Sequence, residues 1–359
     1  MKRAAASLFI IFVIFLYFMY NPGALEKIQD AAQEAWTTVH EKLQNMGITV
    51  GEWLAKDDRT VSDKDGEIST LQGEPEEKTF SILNIEIGTS YEEVEKKLGQ
   101  PERITYNEYG TYWYTYHDNY KNFVNIMFDG QNRVAGLYTN QHILTSKNGI
   151  KLGITKKETE NILGPPQNEI QKGNYRYLLN EDDYQLYFID NCYVTFFYDL
   201  HNNETLTSVL IISKEMEDRK KGLYGAGSRE LREGFEYQLF DLVNATRVRF
   251  HLHPLKWDEN VRNTARKHSK DMAENNYFSH TNLEGQSPFE RMREDRIFFT
   301  FAGENLAYGQ FNSIFAHEGL MNSESHRENI LRPEFEYVGI GVAFNSDSQP
   351  FFTQNFYKK

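Results

Sequence analysis

Met321-Asn322-Ser323-Glu324-Ser325-His326-Arg327-Glu328-Asn329-Ile330-Leu331 is the segment on which the reading of this 359-residue chain turns. Ser325 followed three residues later by Glu328 has the spacing of a capping box, so a helix is expected to start there with His326 in its first turn. The positive end of the helix dipole disfavours an imidazolium at that place and keeps a ring nitrogen free to take a proton or hold a metal. Arg327 and Asn329 are expected to anchor the helix. Upstream, residues 258–275 place Val261, Ala265, His268 and Met272 on one apolar stripe, which makes His268 a hydrogen-bonded core histidine.

Further landmarks stand in order around that segment: Leu242 to Arg247, Tyr277-Phe278-Ser279-His280, Gly303-Glu304-Asn305, Val338-Gly339-Ile340-Gly341-Val342 and Phe352-Thr353-Gln354-Asn355-Phe356. Together they closely resemble the CAP superfamily (cysteine-rich secretory proteins, antigen 5 and pathogenesis-related 1 proteins) in its disulfide-free bacterial form, over about residues 230–359. The resemblance implies an α-β-α sandwich with a three-stranded antiparallel sheet and a cleft lined by two histidines and acidic residues. His280 matches the first cleft histidine, Glu304 the cleft acid and His326 the second histidine. Leu320 stands where many relatives carry a tryptophan, and Ser323 where they carry a second acid, with Glu318 as a substitute acid on the same helix. The expected cleft is therefore His280, Glu304, Asn305, Glu318, Asn322, Ser323 and His326, with Asn305 and Asn322 as hydrogen bonders on its rim.

Two histidines and a carboxylate with an open position form the ligand set of a hydrolytic zinc ion. The same three groups can equally bond one another and close the cleft floor. The readings left open are thus a binding cleft that requires no cofactor and a metal-dependent, peptidase-like hydrolase, with zinc on His280, Glu304 and His326 and Glu304 as candidate base. No Gly-x-Ser-x-Gly or His-Glu-x-x-His motif occurs, and the single cysteine, Cys192, lies in another domain, which removes the usual serine, zincin and cysteine-protease routes.

Residues 80–222 carry an internal match at a spacing of 65 residues: Ile87-Gly88-Thr89-Ser90 through Leu98-Gly99-Gln100-Pro101 against Leu152-Gly153-Ile154-Thr155 through Leu163-Gly164-Pro165-Pro166. Each copy has a hydroxyl cap with Glu three residues on (Ser90 with Glu93, Thr155 with Glu158), a short helix, a glycine stop and then strands rich in Tyr, Phe and Val. Two repeats, about 82–145 and 147–215, are expected, each a small helix on its own antiparallel sheet, with Asp129-Gly130 as a hairpin turn. The pattern resembles the tandem-repeat domain that precedes the CAP domain in bacterial exported proteins, which implies protein binding rather than catalysis. Its aromatic run Tyr106, Tyr109, Tyr112, Trp113, Tyr114, Tyr116, Tyr120 suits either a strand core or a face for a protein or glycan. Cys192 is expected as a buried, inert thiol, and residues 219–228 as a hinge.

The chain opens with Lys2 and Arg3 before the apolar run Ala4 to Tyr20, an export or anchor signal by the positive-inside rule. Residues 1–22 are read as a single-pass anchor with the bulk outside the cell membrane, or as a signal whose cleavage would leave a secreted protein. Residues 23–79 are read as an amphipathic stalk followed by an acidic tether. The whole is α+β: anchor, duplicated helix-on-sheet domain, CAP-like sandwich. Lys and Arg total 39 against 52 Asp and Glu, a net charge of −13 with no dense basic block, which argues against nucleic acid as a partner. The expected partner is a lipid, peptide or glycan of the cell envelope, with a protein partner for the repeat domain.

Overall fold

The computed structural model describes residues 73–172, 175–178 and 182–359, so the expected anchor (1–22) and nearly all of the stalk and tether (23–79) lie outside the described residues. Among the described residues no helix is long and apolar enough to cross a membrane.

The N-terminal half begins with β1 (Phe80–Ile82), α1 (Tyr91–Leu98), β2 (Arg103–Tyr106), β3 (Tyr112–Asp118), β4 (Lys121–Phe128), β5 (Val134–Thr139) and β6 (Leu144–Ser146). It continues with α2 (Lys156–Leu163), β7 (Glu169–Lys172), β8 (Tyr175–Leu178), β9 (Tyr184–Ile189), β10 (Cys192–Asp199), β11 (Thr205–Ser213) and α3 (Lys214–Arg219). Both capping boxes close. The Ser90 amide donates to the Glu93 carboxylate at 3.1 Å and the Thr155 amide to that of Glu158 at 2.7 Å, while each hydroxyl accepts the amide three residues on. Gly99 and Gly164 then stop the helices at φ of +75° and +80°, a region where a β-carbon is strained.

The strands differ from the expectation of one small sheet per repeat. They run as a single seven-stranded sheet in the order β2-β3-β4-β5-β11-β10-β9, joined by antiparallel pairing of β5 with β11, while β7 and β8 form a separate ribbon. All six residues of β5 are buried, and a buried edge would leave backbone donors and acceptors without partners. Pairing with β11 removes that edge. The joined sheet is covered on both faces: Val124, Ile126 and Phe128 of β4 pack into the core under α1 and α2, while Phe123 and Met127 pack toward the C-terminal half.

That half comprises α4 (Arg229–Arg249), β12 (Lys256–Trp257), α5 (Glu259–Asn275), α6 (Pro288–Glu294), β13 (Phe301–Tyr308), α7 (Ser313–Met321), α8 (Glu324–Ile330), β14 (Tyr337–Phe344) and β15 (Pro350–Lys358). Val338, Ile340 and Val342 of β14 pack with Leu239 and Val243 of α4. The alternate positions are Gly339 and Gly341, where an added β-carbon would lie 2.2 Å from the Arg262 nitrogen and 2.1 Å from that of Arg266. The glycines let α5 lie directly on the strand, so the sheet is sandwiched between helices. It has four strands rather than the expected three, in the order β12-β14-β15-β13. The extra strand is two residues long and parallel to β14, too short to leave a pattern in sequence.

The two halves pack as one body. An alanine β-carbon at Gly234 of α4 would stand 2.0 Å from the Tyr106 carbonyl of β2, so helix and strand touch backbone to backbone. Arg103 pairs with the buried Asp241 at 2.8 Å, and Arg249 donates to the carbonyls of Asn140 and Thr207 at 3.0 and 2.9 Å. Residues 219–228, expected as a hinge, are fixed at Tyr224 and Gly225, while residues 226–228 are exposed. Gly225 is buried against Glu108, and the Tyr224 hydroxyl donates to the Gly309 carbonyl at 2.9 Å. The aromatic run serves largely this interface: Trp113 is buried beside Leu242 and Ala245, and Tyr120 packs edge-on to Phe240. Cys192 is buried, and burial pushes its thiol up to about 11.

Candidate functional site

The site forms along β13, the edge strand of the four-stranded sheet. Gly303, Glu304 and Asn305 each have a separate physical task there. Gly303 admits α8, since a β-carbon would come within 2.7 Å of the Asn329 side-chain oxygen. Glu304 points to the opposite face of the strand, where its side chain is 1% exposed and the Arg291 Nη2 donates to Oε2 at 2.6 Å. His280 Nδ1 lies 2.9 Å from Oε1 of the same carboxylate. A carboxylate accepts, so Nδ1 carries the ring proton and Nε2 is the nitrogen left to accept one. The His280 side chain is 53% exposed, which puts that nitrogen at the accessible edge of the site.

Arg291 was not singled out from the sequence. It projects from α6, whose start is a capping box of Ser287 with Glu290 and a proline in the first turn, and that local pattern was the available signal. Besides holding Glu304, Arg291 Nη1 donates to the carbonyls of His280 and Gln286 at 2.7 and 3.0 Å, stapling the loop to β13. His268 is the expected core histidine: its ring is buried, and Nε2 donates to the Ser279 carbonyl at 2.9 Å. Burial holds it below the ordinary imidazole range, with Glu304 pulling the other way. The loop bearing His280 is therefore fixed at Ser279, His280 and Gln286.

The second histidine comes from α8. This helix starts earlier than expected: Ser323 is its N-cap, Ser325 is its second residue, and the box of Ser325 with Glu328 does not form. Ser323 supplies no cap to the backbone, because its hydroxyl lies 2.8 Å from His326 Nδ1. His326 still falls in the first turn. Burial, and secondarily the proximity of His280, hold it below the ordinary imidazole range. Asn305, expected on the rim, is fully buried beneath α8, donating to the His326 carbonyl at 3.0 Å and accepting from Asn329 at 2.9 Å. Asn329 thus anchors the helix as expected.

Two expected cleft residues lie elsewhere. Glu318 is buried against the seven-stranded sheet, accepting from Tyr138 at 2.6 Å and Ser208 at 2.8 Å. Asn322 bonds the backbone of Tyr198 and Leu200. Both sit on the face of α7 and its C-terminal end that meets the N-terminal half, a destination that residue type and local spacing do not encode.

The expected three-ligand zinc set does not fit this geometry. Glu304 spends one oxygen on a guanidinium and the other on His280, so the carboxylate is lost to the set, while the bonds at Nδ1 of His280 and of His326 leave Nε2 as the ligating nitrogen of each ring. Arg291 already supplies the positive charge a cation would bring. Among the described residues no group of three His, Cys, Asp or Glu side chains is placed to hold a metal ion. The same saturation removes Glu304 as a free base and makes it the group that orients His280. A groove of about 970 Å³ between the start of α4 and α5, lined by Arg229, Arg232, Arg266 and Lys270, is separate from these residues. A cavity of about 310 Å³ does adjoin them, lined by His268, Asp271, Asn282 and Arg291.

The site is thus a histidine and a buried acid meeting at the edge strand of a glycine-lined sheet between helices. The cysteine-rich secretory protein family matches residues 240–356, and the CAP-associated N-terminal family matches residues 87–223. The "uncharacterized membrane protein YlbC" of Bacillus subtilis is 30% identical over 309 residues, 78% of this chain and 84% of that protein. YkwD of the same organism is 39% identical over 125 residues, 35% of this chain and 48% of that protein. An extracellular SCP-domain protein of Bacillus anthracis has a similar structure, with TM-score 0.67, 28% identity and coverage of 80% of this chain and 98% of that one. A Staphylococcus aureus cysteine-rich secretory protein shares the fold at TM-score 0.61 and 18% identity, over 80% of this chain and 97% of its own. The chain belongs to the CAP family, as a bacterial CAP protein with an N-terminal CAP-associated domain.

Proposed function

We propose that this chain is an extracytoplasmic binding protein of the bacterial cell envelope, held at the membrane by residues 1–22, whose cleft at His280 and His326 takes a lipid, peptide or cell-wall fragment. The carrying observation is the saturated Glu304: a buried acid with Arg291 on one oxygen and His280 on the other builds a rigid floor and presents one imidazole edge outward. Phe278 and Tyr308, each exposed and with ring centroids 5.9 Å apart, offer apolar surface near His280. The membrane and extracellular descriptions of the relatives support the location. The matching glycine, capping-box and helix geometry at 88–99 and 153–164 supports a tandem repeat over residues 80–222.

The test is calorimetric titration of the full chain in detergent micelles with soluble peptidoglycan fragments, short peptides and phosphatidylglycerol, beside His280→Ala. One class should bind, and the variant should bind it about ten-fold more weakly or worse, the loss expected for one charge-assisted or well-aligned hydrogen bond. Equal affinity of both proteins for every class would refute the cleft. A carboxylate-oriented imidazole is also the arrangement of a general base, so turnover of a fragment that vanishes in His280→Ala would replace binding by hydrolysis.

A further inference from the structure

We infer that the turn Tyr198–His201 of the N-terminal half is a positioning device for His326, so that the CAP-associated domain sets one wall of the cleft in the other domain. This rests on the cleft reading above. The helix bearing His326 cannot place itself: α8 has seven residues, well short of the length at which a helix holds in water, and its N-cap hydroxyl is given to the His326 ring. Its location must come from tertiary bonds.

Those bonds are of two kinds. From below, Asn305 holds the His326 carbonyl. From the side, the connection between β10 and β11 grips the chain just before and just after the histidine. Asn322 donates to the Tyr198 carbonyl at 2.9 Å and accepts from the Leu200 amide at 2.9 Å, so one side chain completes two backbone bonds. His201 Nε2 lies 3.0 Å from the Asn322 carbonyl and acts as donor there. On the other side of His326, Arg327 donates to Asp199 at 2.8 Å, with both side chains largely buried, and to the Met321 carbonyl at 3.2 Å. Asn322 and Arg327 are thus tied to a turn more than a hundred positions away in sequence.

His280 is held differently, by Glu304 and Arg291 of its own domain. The two imidazoles of the cleft therefore differ in their anchors: His280 is held within its own domain, and His326 by Ser323 and Asn305 of its own domain together with the borrowed turn. Tyr198 and Asp199 are buried, whereas Leu200 is 41% exposed and residues 201–204 are exposed, so only the outer end of the turn is accessible. A ligand that binds the turn more tightly in its gripping than in its released form would fix His326, and by thermodynamic reciprocity a cleft ligand that prefers the fixed His326 would hold the turn.

The test needs no ligand, so it can fail independently of the binding reading. Full-length Asp199→Asn, Asp199→Glu and Asn322→Ala are compared with wild type and with Arg103→Met, which breaks a different bond between the same two domains. Two quantities are read: amide exchange over residues 323–331, and the rate at which diethyl pyrocarbonate modifies His326 relative to His280 in the same molecule. Asp199→Asn and Asn322→Ala should each speed exchange of 323–331 by about ten-fold, as loss of a charge-assisted or doubled hydrogen bond implies, with β13 unchanged. The His326 to His280 ratio should rise, and Asp199→Glu should restore both. Arg103→Met should lower global stability without changing either. Exchange and ratio within two-fold of wild type in Asp199→Asn and Asn322→Ala, or an equal effect of Arg103→Met, would overturn the inference.

Discussion

Replacing Gly234 with alanine tests the contact that joins the two halves. In an isolated helix the change stabilises by about 1 kcal/mol, because alanine loses less backbone entropy than glycine. Here the new β-carbon would lie 2.0 Å from the Tyr106 oxygen, 3.0 Å from its carbonyl carbon and 3.3 Å from its nitrogen, and all three are backbone atoms that cannot swing away. Relief requires the 21-residue α4 to move off β2 by roughly 1.5 Å, the shortfall from ordinary contact. That shift stretches the bonds from Gln238 to the Tyr106 carbonyl and the Thr105 hydroxyl, at 2.9 and 3.1 Å, each worth about 1 kcal/mol. It also strains the Arg103 pair with buried Asp241, whose rupture would cost about 3–5 kcal/mol. With that pair only partly weakened, the net expectation is a loss of about 3 kcal/mol, outweighing the propensity gain. The assay is urea denaturation followed by tryptophan fluorescence, with Gly130→Ala as control, since nothing lies within 4 Å of a β-carbon there. A Gly234→Ala midpoint equal to or above that of wild type, at unchanged slope, would refute the backbone-contact account.

Arg291→Met should destabilise by about 3 kcal/mol or more, because it leaves the Glu304 carboxylate buried without its guanidinium, and adding Glu304→Gln should recover part of the loss. A double-mutant cycle in urea checks this; a single-variant cost under about 1 kcal/mol would contradict it. His317 is buried in α7 with Nε2 2.7 Å from the Thr246 hydroxyl, and burial holds it down to about 3. The unfolded chain takes up that proton below about pH 6.5 and the folded chain only near 3, so this contribution is present above the higher value and is lost as pH falls between them. Between pH 7 and pH 5 wild type should lose about 2 kcal/mol more stability than His317→Asn. Asp241, which burial raises to about 6, contributes with the opposite sign but is common to both proteins. Parallel stability profiles would show that His317 titrates normally.

What the sequence makes legible is local. The boxes at Ser90 and Thr155 involve groups three residues apart, and the stripe of Val261, Ala265, His268 and Met272 repeats with the helix itself. The start of α8 is not legible because the helix begins after Ser323 without any side-chain cap, the Ser323 hydroxyl being engaged by His326, which spacing does not express. Arg291 escaped notice because its partner is thirteen residues away on another element, and an arginine in a short helix looks like any solvated one.

By itself the sequence determined the family and the capped and periodic elements, and it pointed to His280, Glu304 and His326, because capping and periodicity act over a few residues. Only the tertiary structure decided what those groups could do. It turned Glu304 from a candidate ligand into the paired support of His280, took Glu318 and Asn322 out of the cleft, and used most of an aromatic run to join two domains. The reason is one of range: a buried charge or donor must find its partner wherever the packed chain brings one, and here several of those partners lie more than a hundred residues away.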